Sequence, residues 1–409
     1  MESKGALSMP TKTAEDYLAA LADELAISDA RYEQANKSYA SLGDWLHRPA
    51  SKVLRFDPEI YVQGSFRLGT AIRPLTEEEE YDVDSVCVLR LLSTSNLTQR
   101  QLKHLVGDEI KAYHRSQSMV KPVEEGNRCW VLPYANEAQF HMDIVPAVPN
   151  SSRQKSLLET AGYDTRWADT AIAITDRRLP NYNEQTNQWP RSNPKGYAEW
   201  FRLQMGPIFE QRRKFVAEAI RASVEDIPEY RVRTPLQSAI MILKRHRDGM
   251  FVGRYNERPI SVIITTLAAH AYNGEERIAD ALYTILRDMD RYIERNGNVR
   301  IIRNPTDPLE NFADKWPLYP EREKAFFEWL ARARRDFEYL GQQVDRRRIV
   351  EAIKPRMGVA AERAATRLAP SSSSMLRPAA SAAIIGAGAA SAPAFPSTRR
   401  EPTSPKGFA

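Results

Sequence analysis

Three aspartates that interrupt apolar segments constrain this chain more tightly than any other feature. Asp82 and Asp84 lie two residues apart within Tyr81–Leu89, a run of β-branched and apolar residues, and Asp143 lies in the short apolar run 141–145. Alternate residues of a strand point to the same face, so Asp82 and Asp84 are expected to project side by side. Aspartate is disfavoured in strands, and three such cases indicate a functional cluster rather than a set of solvated turns.

The spacing of these carboxylates predicts a metal site. Carboxylates held close together repel each other unless a cation neutralises them, and clustered oxygen ligands suit Mg²⁺. If the strand of Asp143 pairs beside the strand of Asp82 and Asp84, the cluster could hold two ions about 3.5–4 Å apart, an arrangement used for in-line displacement at phosphorus. The sequence therefore predicts two Mg²⁺ ions, for which Mn²⁺ can substitute.

A glycine-serine turn precedes the aspartate pair. Gln63, Gly64 and Ser65 follow the strand-like run 60–62. Gly64 permits an unusual backbone angle or a close approach. Ser65 is predicted to be the N-cap of a helix whose free N–H groups face a phosphate. The turn and the aspartates together predict a site for a nucleoside triphosphate.

The composition limits the class of protein. The 409 residues are enough for a two-lobed enzyme, and the net charge of +5 fits anionic substrates without requiring a nucleic-acid partner. Cys87 and Cys129 lie among apolar residues and are predicted to be reduced core thiols, while the six histidines show no zinc-site spacing. The chain has no apolar run long enough to span a membrane and no secretion signal at its start, so a cytoplasmic protein is predicted.

The residue patterns divide the chain into four parts: an N-terminal spine helix at 1–50, a catalytic lobe at 51–205, a helical lobe at 206–360 and a disordered tail at 361–409. One continuous helix is predicted over 11–46, with Thr13 and Asp16 as its capping pair. The acidic run Glu77–Glu80 predicts a solvated loop. The tail is rich in Ala, Ser and Pro and is predicted not to fold.

The stretch 150–200 is rich in Pro, Asn and aromatic residues. It is predicted to be a long irregular segment, which inside a compact enzyme is often functional. Trp189, Tyr197 and Trp200 could stack on a nucleobase, and the alternative is that they pack the junction between the lobes.

These motifs resemble those of the polymerase-β-like nucleotidyltransferase superfamily. They are still more similar to those of the bacterial cyclic-oligonucleotide synthases of anti-phage signalling, the CD-NTases of CBASS operons. The matching segments are 63–72, 82–87, 141–146, 243–248, 259–267 and 304–316. The resemblance implies an α+β fold, in which a polymerase-β-like lobe built from a mixed sheet and helices meets a C-terminal helical lobe across an active-site cleft.

The resemblance also implies roles for individual residues. The catalytic metal ligands would be Asp82, Asp84 and Asp143. The contacts to the triphosphate would come from Gln63, Gly64, Ser65, Lys244 and Ser261, with Asp307 at a base edge. Without the motif, Lys244 and the basic residues that follow it would be interpreted as an ordinary solvated helix face.

The activity implied by the resemblance is template-independent synthesis of a cyclic di- or trinucleotide messenger from nucleoside triphosphates in anti-phage defence. ATP is expected among the substrates and adenine in the product. The alternatives are an RNA-tailing enzyme, like a poly(A) polymerase or oligoadenylate synthase, and a catalytically silent nucleotide-binding module.

The same resemblance implies partners. They are a ligation system or a HORMA-type regulator, and a downstream effector that binds the cyclic product; neither a membrane nor a nucleic acid is required. Ala409, at the end of a tail predicted to be flexible, is a hypothetical attachment point for ligation, and an inert tail is the alternative.

Overall fold

The computed structural model describes residues 10–74, 81–134, 140–220 and 232–369. These residues form a mixed sheet with flanking helices and a C-terminal helical part, which confirms the predicted α+β fold. The predicted acidic loop and the attachment point at Ala409 lie outside the described residues. None of the helices within these ranges is long and apolar enough to cross a membrane.

The strands are β1 Pro58–Val62, β2 Tyr81–Leu89, β3 Glu124–Glu125, β4 Trp130–Tyr134, β5 Phe140–Pro149, β6 Ile172–Ile174, β7 Arg191–Ser192, β8 Glu294–Asn296, β9 Val299–Ile301, β10 Arg303–Asn304 and β11 Asp307–Asn311. The helices are α1 Lys12–Leu25, α2 Asp29–Leu46, α3 Gly64–Arg67, α4 Gln99–Ser116, α5 Ser151–Thr160, α6 Pro194–Ile220, α7 Pro235–Met250, α8 Ser261–Ala271, α9 Ile278–Asp288, α10 Pro320–Gly341, α11 Arg346–Met357 and α12 Val359–Arg367.

The main sheet places two parallel strands at the centre of the catalytic part. Its order is β1-β2-β5-β4-β3, with β6 paired to the end of β5 and β7 paired to β6. Strands β2 and β5 are parallel, and the other pairings are antiparallel. Both strands begin with alternating burial, so one face buries Val83 and Met142 while the other carries polar side chains.

The stretch 150–200 contains more regular structure than predicted. It includes α5, β6, β7 and the start of α6, and β6 extends the main sheet by pairing with the end of β5. These elements are short and interrupted by Pro and Asn, so their hydrophobic periodicity is too brief to be recognised in the sequence.

The single helix predicted over 11–46 is in fact two helices. Helix α1 ends at Leu25, and α2 begins at Asp29. Between them, Ala26 is extended and forms an isolated bridge with Ile72, which ties the break to the loop after α3. The two helices pack into different hydrophobic cores, α1 into the helical part and α2 into the sheet part. The predicted N-terminal spine is therefore shared between the two parts.

The start of α1 also differs from the prediction. Its N-cap is Thr11, whose Oγ1 accepts a hydrogen bond from the N–H of Ala14 at 3.1 Å, rather than the predicted pair Thr13 and Asp16. Thr11 begins the helix earlier than the periodicity of large apolar residues suggests. Helix α4 begins with a complete capping box at Thr98.

The helical core extends beyond its predicted boundaries at 206 and 360. Phe201, in the first half of α6, is buried in that core, so residues 194–205 pack with the helical part. At the other end, the Tyr17 hydroxyl donates to the carbonyl of Ala361 at 2.9 Å. Because Ala361 is fully buried against α1, residues 361–369 are folded, although the sequence assigned them to the tail.

The close packing of α4 on the sheet depends on Gly107. A Cβ at this position would lie 2.3 Å from the Cε2 and Cζ2 atoms of Trp130, whose buried ring is held by a 2.9 Å hydrogen bond from Nε1 to the Lys103 carbonyl. Alanine normally stabilises a helix interior by about 1 kcal/mol relative to glycine, but overpacking against a fixed ring costs about 1–3 kcal/mol.

We therefore expect Gly107→Ala to lower the free energy of unfolding by up to about 2 kcal/mol in urea titrations. Gly341→Ala in α10 is the matched control, because a Cβ there meets nothing closer than 3.8 Å. That control is expected to be neutral or slightly stabilising. A Gly107→Ala protein that is more stable than the wild type would contradict the packing argument.

Candidate active site

Three aspartates meet on one face of the central parallel strands. Asp84 of β2 is the direct register partner of Asp143 of β5, and Asp82 lies two residues earlier on the same face. Val83, between the two β2 aspartates, points to the opposite face and is fully buried. The alternation of β2 and its parallel pairing with β5 thus bring together the three carboxylates that the sequence selected.

His141 belongs to the same cluster, although the sequence analysis did not assign it. It is the register partner of Asp82, and its Nε2 lies 2.6 Å from Oδ1 of Asp82 and 4.0 Å from Oδ1 of Asp143. Ligand atoms of these three residues all lie within 4.8 Å of one another. The available signal was the two-residue spacing of His141 and Asp143, which places both side chains on one face of a strand.

Burial and mutual repulsion raise the pKa values of the carboxylates. The pKa of Asp84 is raised to about 7, mainly by loss of hydration and then by the charges of Asp82 and Asp143. Lys244 and His141 act in the opposite direction on the same group. The pKa of Asp143 is also raised, again first by burial and then by Asp82. Without a cation, this cluster holds negative charge at an energetic cost.

The residues present fit a hard divalent cation. Oδ1 of Asp143 is buried and has no hydrogen-bond partner within the described ranges. Its Oδ2 accepts only a long contact of 3.5 Å from Sγ of Cys129, a thiol that is half-buried rather than in the core as predicted. An unsatisfied carboxylate oxygen among like charges is the donor set that Mg²⁺ and Mn²⁺ prefer. Asp82, Asp84 and Asp143 could hold such ions, with His141 as an additional nitrogen ligand.

The glycine-serine turn packs directly against these carboxylates. Gly64 has φ +64°, and a Cβ there would lie 2.3 Å from Oδ2 of Asp84. The N–H of Gln63 donates to the Asp84 carbonyl at 2.8 Å, which fixes the turn to β2. The N-cap of α3 is Gln63, so the prediction that Ser65 is the N-cap is wrong, and Ser65 lies inside the first turn. A left-handed Gly64 starts the short helix two residues earlier than the serine signal suggested.

Lys244 and the four residues after it are buried, which excludes the interpretation of a solvated helix face. The Lys244 ammonium donates to the Thr70 carbonyl at 2.8 Å, and its pKa is lowered to about 8, first by burial and then by Arg247. The charge of Asp84 acts in the opposite direction, which places the ammonium near the carboxylate cluster. Arg247 donates to Oγ of Ser261 at 2.9 Å, and Ser261 is the first residue of α8.

A cavity of about 410 Å³ joins the sheet face to the helical part. Of the predicted site residues, six line it: Gly64, Ser65, Asp82, Asp84, Lys244 and Ser261. Gln63, Asp143 and Asp307 do not appear in its lining. The cavity therefore combines the turn, two carboxylates and the buried ammonium, while Asp143 lies next to Asp84 on the neighbouring strand.

Asp307 is not a cavity residue, because its carboxylate pairs with Arg191 at 2.9 Å. Two other residues of the β10–β11 hairpin line the cavity instead, Asn304 and Glu310, and Nδ2 of Asn304 donates to Oε2 of Glu310 at 2.7 Å. Neither residue was predicted from the sequence, because the pairing of the hairpin is irregular between Arg303 and Asn304 and strand alternation does not hold across it.

Of the three aromatic residues considered for stacking on a nucleobase, two pack in the hydrophobic cores and one lines the cavity. Trp189 and Trp200 are buried in the hydrophobic cores of the sheet part and the helical part, respectively, so they pack rather than stack on a ligand. Tyr197 lines the cavity, with its hydroxyl 2.7 Å from Oγ1 of Thr266 and its ring edge-on to Phe312 at 6.4 Å between centroids.

Comparisons with known proteins agree with this architecture. Residues 58–146 match the family described as cyclic GMP-AMP synthase DncV-like, nucleotidyltransferase domain. A c-di-GMP synthase of Roseivirga ehrenbergii is 28% identical over 319 residues, which cover 77% of this chain and 76% of the relative.

Two solved structures share the fold. The CD-NTase CdnG of Bradyrhizobium diazoefficiens, in complex with GTP, has a TM-score of 0.66 at 20% identity and covers 87% of this chain and 98% of its own. CdnC of E. coli MS115-1, in a complex with HORMA-deltaN, has a TM-score of 0.58 at 14% identity, with coverage of 85% and 97%. Both likenesses span the sheet and the helical part together.

Proposed function

Because this chain belongs to the CD-NTase family of DncV-like nucleotidyltransferases, we propose that it joins nucleoside triphosphates into a cyclic dinucleotide and releases pyrophosphate. The observation that carries the proposal is the carboxylate cluster of Asp82, Asp84 and Asp143 beside a cavity that also contains a buried lysine. The name of the Roseivirga relative supports a cyclic dinucleotide, and the predicted trinucleotide is the alternative that product mass would distinguish.

In the proposed reaction, a ribose hydroxyl of one nucleotide attacks the α-phosphate of another, and a second transfer closes the ring. Asp143, whose Oδ1 has no hydrogen-bond partner within the described ranges, would orient the hydroxyl and help to remove its proton. Mg²⁺ bound at Asp82, Asp84 and Asp143 would neutralise phosphate charge and polarise the reacting oxygens. Gly64 lets the backbone approach the phosphates without a side chain, and Lys244 adds a positive charge.

Lys244 gives a test of the triphosphate assignment. We expect Lys244→Met to raise the KM for nucleoside triphosphate about tenfold or more, because a hydrogen bond to a charged group contributes about 1.5–3 kcal/mol. The measurement is steady-state pyrophosphate release against substrate concentration. Lys52→Met, which removes an exposed lysine outside the cavity, is the matched control and should leave KM unchanged. An unaltered KM in Lys244→Met would refute the contact.

The finer predictions about product and partners are part of the same proposal. Adenine in the product and ATP among the substrates stay predictions. The CdnC complex motivates a binding test with a HORMA-type protein, and a downstream effector is proposed to bind the product in anti-phage defence.

Location in the cytoplasm is proposed because nucleoside triphosphates are made there. Conjugation at Ala409 is tested by intact-mass analysis after co-expression with a ligation operon, where an unmodified C-terminus would count against it.

The decisive experiment incubates the purified protein with labelled ATP, GTP, CTP and UTP, singly and mixed, with Mg²⁺ or Mn²⁺. Phosphatase treatment then precedes chromatography and mass analysis. We expect a phosphatase-resistant product with the mass of a cyclic dinucleotide, absent from Asp82→Ala and present in Asp108→Ala, which removes an exposed aspartate on α4. Label at the ends of added RNA would favour the RNA-tailing alternative. Nucleotide binding without pyrophosphate release would favour the silent module.

A further inference from the structure

The cavity is lined by two chemically distinct groups of side chains. The first contains Gly64, Lys244 and the aspartates, and it suits a triphosphate with its metal ions. The second contains Glu310 and the ring of Phe312. Asp84 and Lys244 come from β2 and α7, whereas Glu310 comes from β11, so the two groups are carried by different elements. A carboxylate without a metal partner repels phosphate, and therefore the second group is suited to the nucleobase.

Glu310 is held in one orientation by a fixed neighbour. Oδ1 of Asn304 accepts from the N–H of Thr306 at 2.9 Å and from its Oγ1 at 3.0 Å, so the amide of Asn304 must direct Nδ2 toward Glu310. That Nδ2 donates to Oε2 of Glu310 at 2.7 Å. Within the described part of the chain, this is the sole hydrogen bond of the Glu310 carboxylate, which forms no ion pair there. Oε1 accepts no hydrogen bond in that part of the chain, and Oε2 retains a second lone pair, so both oxygens can accept from a ligand.

We propose that Glu310 selects guanine as the base of the nucleotide bound in this cavity. The inference rests on the proposed function, because it takes the ligand to be a nucleoside triphosphate. Guanine presents two adjacent donors, N1–H and the N2 amino group, to an acceptor-only carboxylate. Adenine and cytosine place a ring-nitrogen acceptor beside their amino donor, and uracil flanks its single N–H with two carbonyl oxygens. A carboxylate therefore pairs in a bidentate manner with guanine alone.

The neighbouring aromatic rings fit this assignment. Tyr197 is held by its hydroxyl contact with Thr266, and its ring lies 6.4 Å from that of Phe312 between centroids. Both rings line the same cavity as Glu310, where either could cover a face of a base. Stacking of this kind tolerates any base, so discrimination falls to Glu310. If adenine is present in the product, this inference assigns it to the other nucleotide position.

The test measures base preference without turnover. Titration calorimetry uses the full chain with Mg²⁺ and the α,β-methylene analogues of GTP and ATP, which cannot release pyrophosphate. We expect the wild type to bind the guanine analogue about tenfold to a hundredfold more tightly, the range for one good bidentate contact to a base. Glu310→Gln presents one donor and one acceptor, which match the adenine edge, so the preference should fall to near unity or reverse. Glu294→Gln, an exposed carboxylate of the neighbouring hairpin, should keep the wild-type preference.

A second variant distinguishes the loss of base selection from a folding defect. Glu310→Ala should weaken binding of the guanine analogue and leave that of the adenine analogue nearly unchanged, with thermal melts confirming that both variants fold. Equal affinity of the wild type for the two analogues would overturn the inference, as would a guanine preference that survives both substitutions, or failure to bind either analogue.

The failure of the inference can be separated from the failure of the proposed function. If the wild type forms a cyclic product but the Glu310 variants keep the same base preference, the guanine assignment is wrong and the proposed synthase activity stands. If the base preference depends on Glu310 but the protein forms no cyclic product, the guanine site stands and the proposed synthase activity is wrong.

Discussion

Asp84→Asn is expected to reduce pyrophosphate release at least about a thousandfold, while making the metal-free protein more stable at pH 8. The loss of activity follows because the amide keeps the shape of the side chain but not the charge that would hold a divalent cation next to Asp143. The gain in stability follows because the native carboxylate is held in a site that disfavours its charge.

The pH dependence of this gain follows from linkage. The folded-state pKa of Asp84 is about 7, against an ordinary value of 3.8. Between these values the folded protein binds a proton that the unfolded chain does not, so this group destabilises the fold progressively as pH rises from about 4 to 7. The advantage of Asp84→Asn should therefore be greatest above pH 7, where it is at most a few kcal/mol, and should disappear near pH 4.

Thermal melts at pH 5 and pH 8, in EDTA and in Mg²⁺, measure both effects. Mg²⁺ should raise the Tm of the wild type at pH 8 and should leave Asp84→Asn almost unchanged, because a ligand stabilises only the state that binds it. Asp108→Asn is the control for removal of an exposed carboxylate. Substantial turnover by Asp84→Asn, or a lower Tm than the wild type in EDTA at pH 8, would show that Asp84 is not a metal-site carboxylate.

Gly64→Ala is expected to lower activity at least about a hundredfold and to destabilise the protein by about 1–3 kcal/mol. Two costs act together at this position. The backbone has φ +64°, which strains any residue with a Cβ, and that Cβ would lie 2.3 Å from Oδ2 and 3.1 Å from Cγ of Asp84. Relief of the clash requires either the turn or the carboxylate to move, and both belong to the proposed site.

Gly274→Ala separates these two costs. Gly274 also has a positive φ, +81°, but a Cβ there meets nothing within 4 Å. Its substitution should therefore destabilise the protein by about 1 kcal/mol from backbone strain and leave turnover intact. Urea titrations and pyrophosphate release on both variants provide the comparison. If Gly64→Ala kept wild-type turnover, the close contact between the turn and Asp84 would have no part in catalysis.

The carboxylate site was predictable because it depends on short-range geometry. Asp82 and Asp84 share a face of any strand, so their proximity follows from a spacing of two residues. The position of Asp143 required knowledge that β5 pairs with β2 in parallel, with a whole helix and two strands between them in the chain. Periodicity carries no information on such a pairing, and the resemblance to a family supplied it.

Other features depended on tertiary packing that local patterns do not encode. The basic run after Lys244 looks like a solvated helix face, yet it is buried because α7 lies at the centre of the helical core. Glu310 was passed over in favour of Asp307, since the pairing irregularity at Asn304 decides which hairpin side chains reach the cavity. The break at Ala26 was missed because the apolar periodicity continues across it while the backbone turns to bridge Ile72.

The contact between α1 and α12 also determines how late in synthesis the helical core of the chain can be completed. Tyr17 donates to the carbonyl of Ala361, a residue 344 positions later. Helix α1 can therefore complete its packing only after nearly all of the described chain has been synthesised. The sheet has its own hydrophobic core and can fold earlier during synthesis. Until then a nascent chain would carry the carboxylates on its sheet, while the helical core that supports the α7 and α8 side of the cavity would still lack α12.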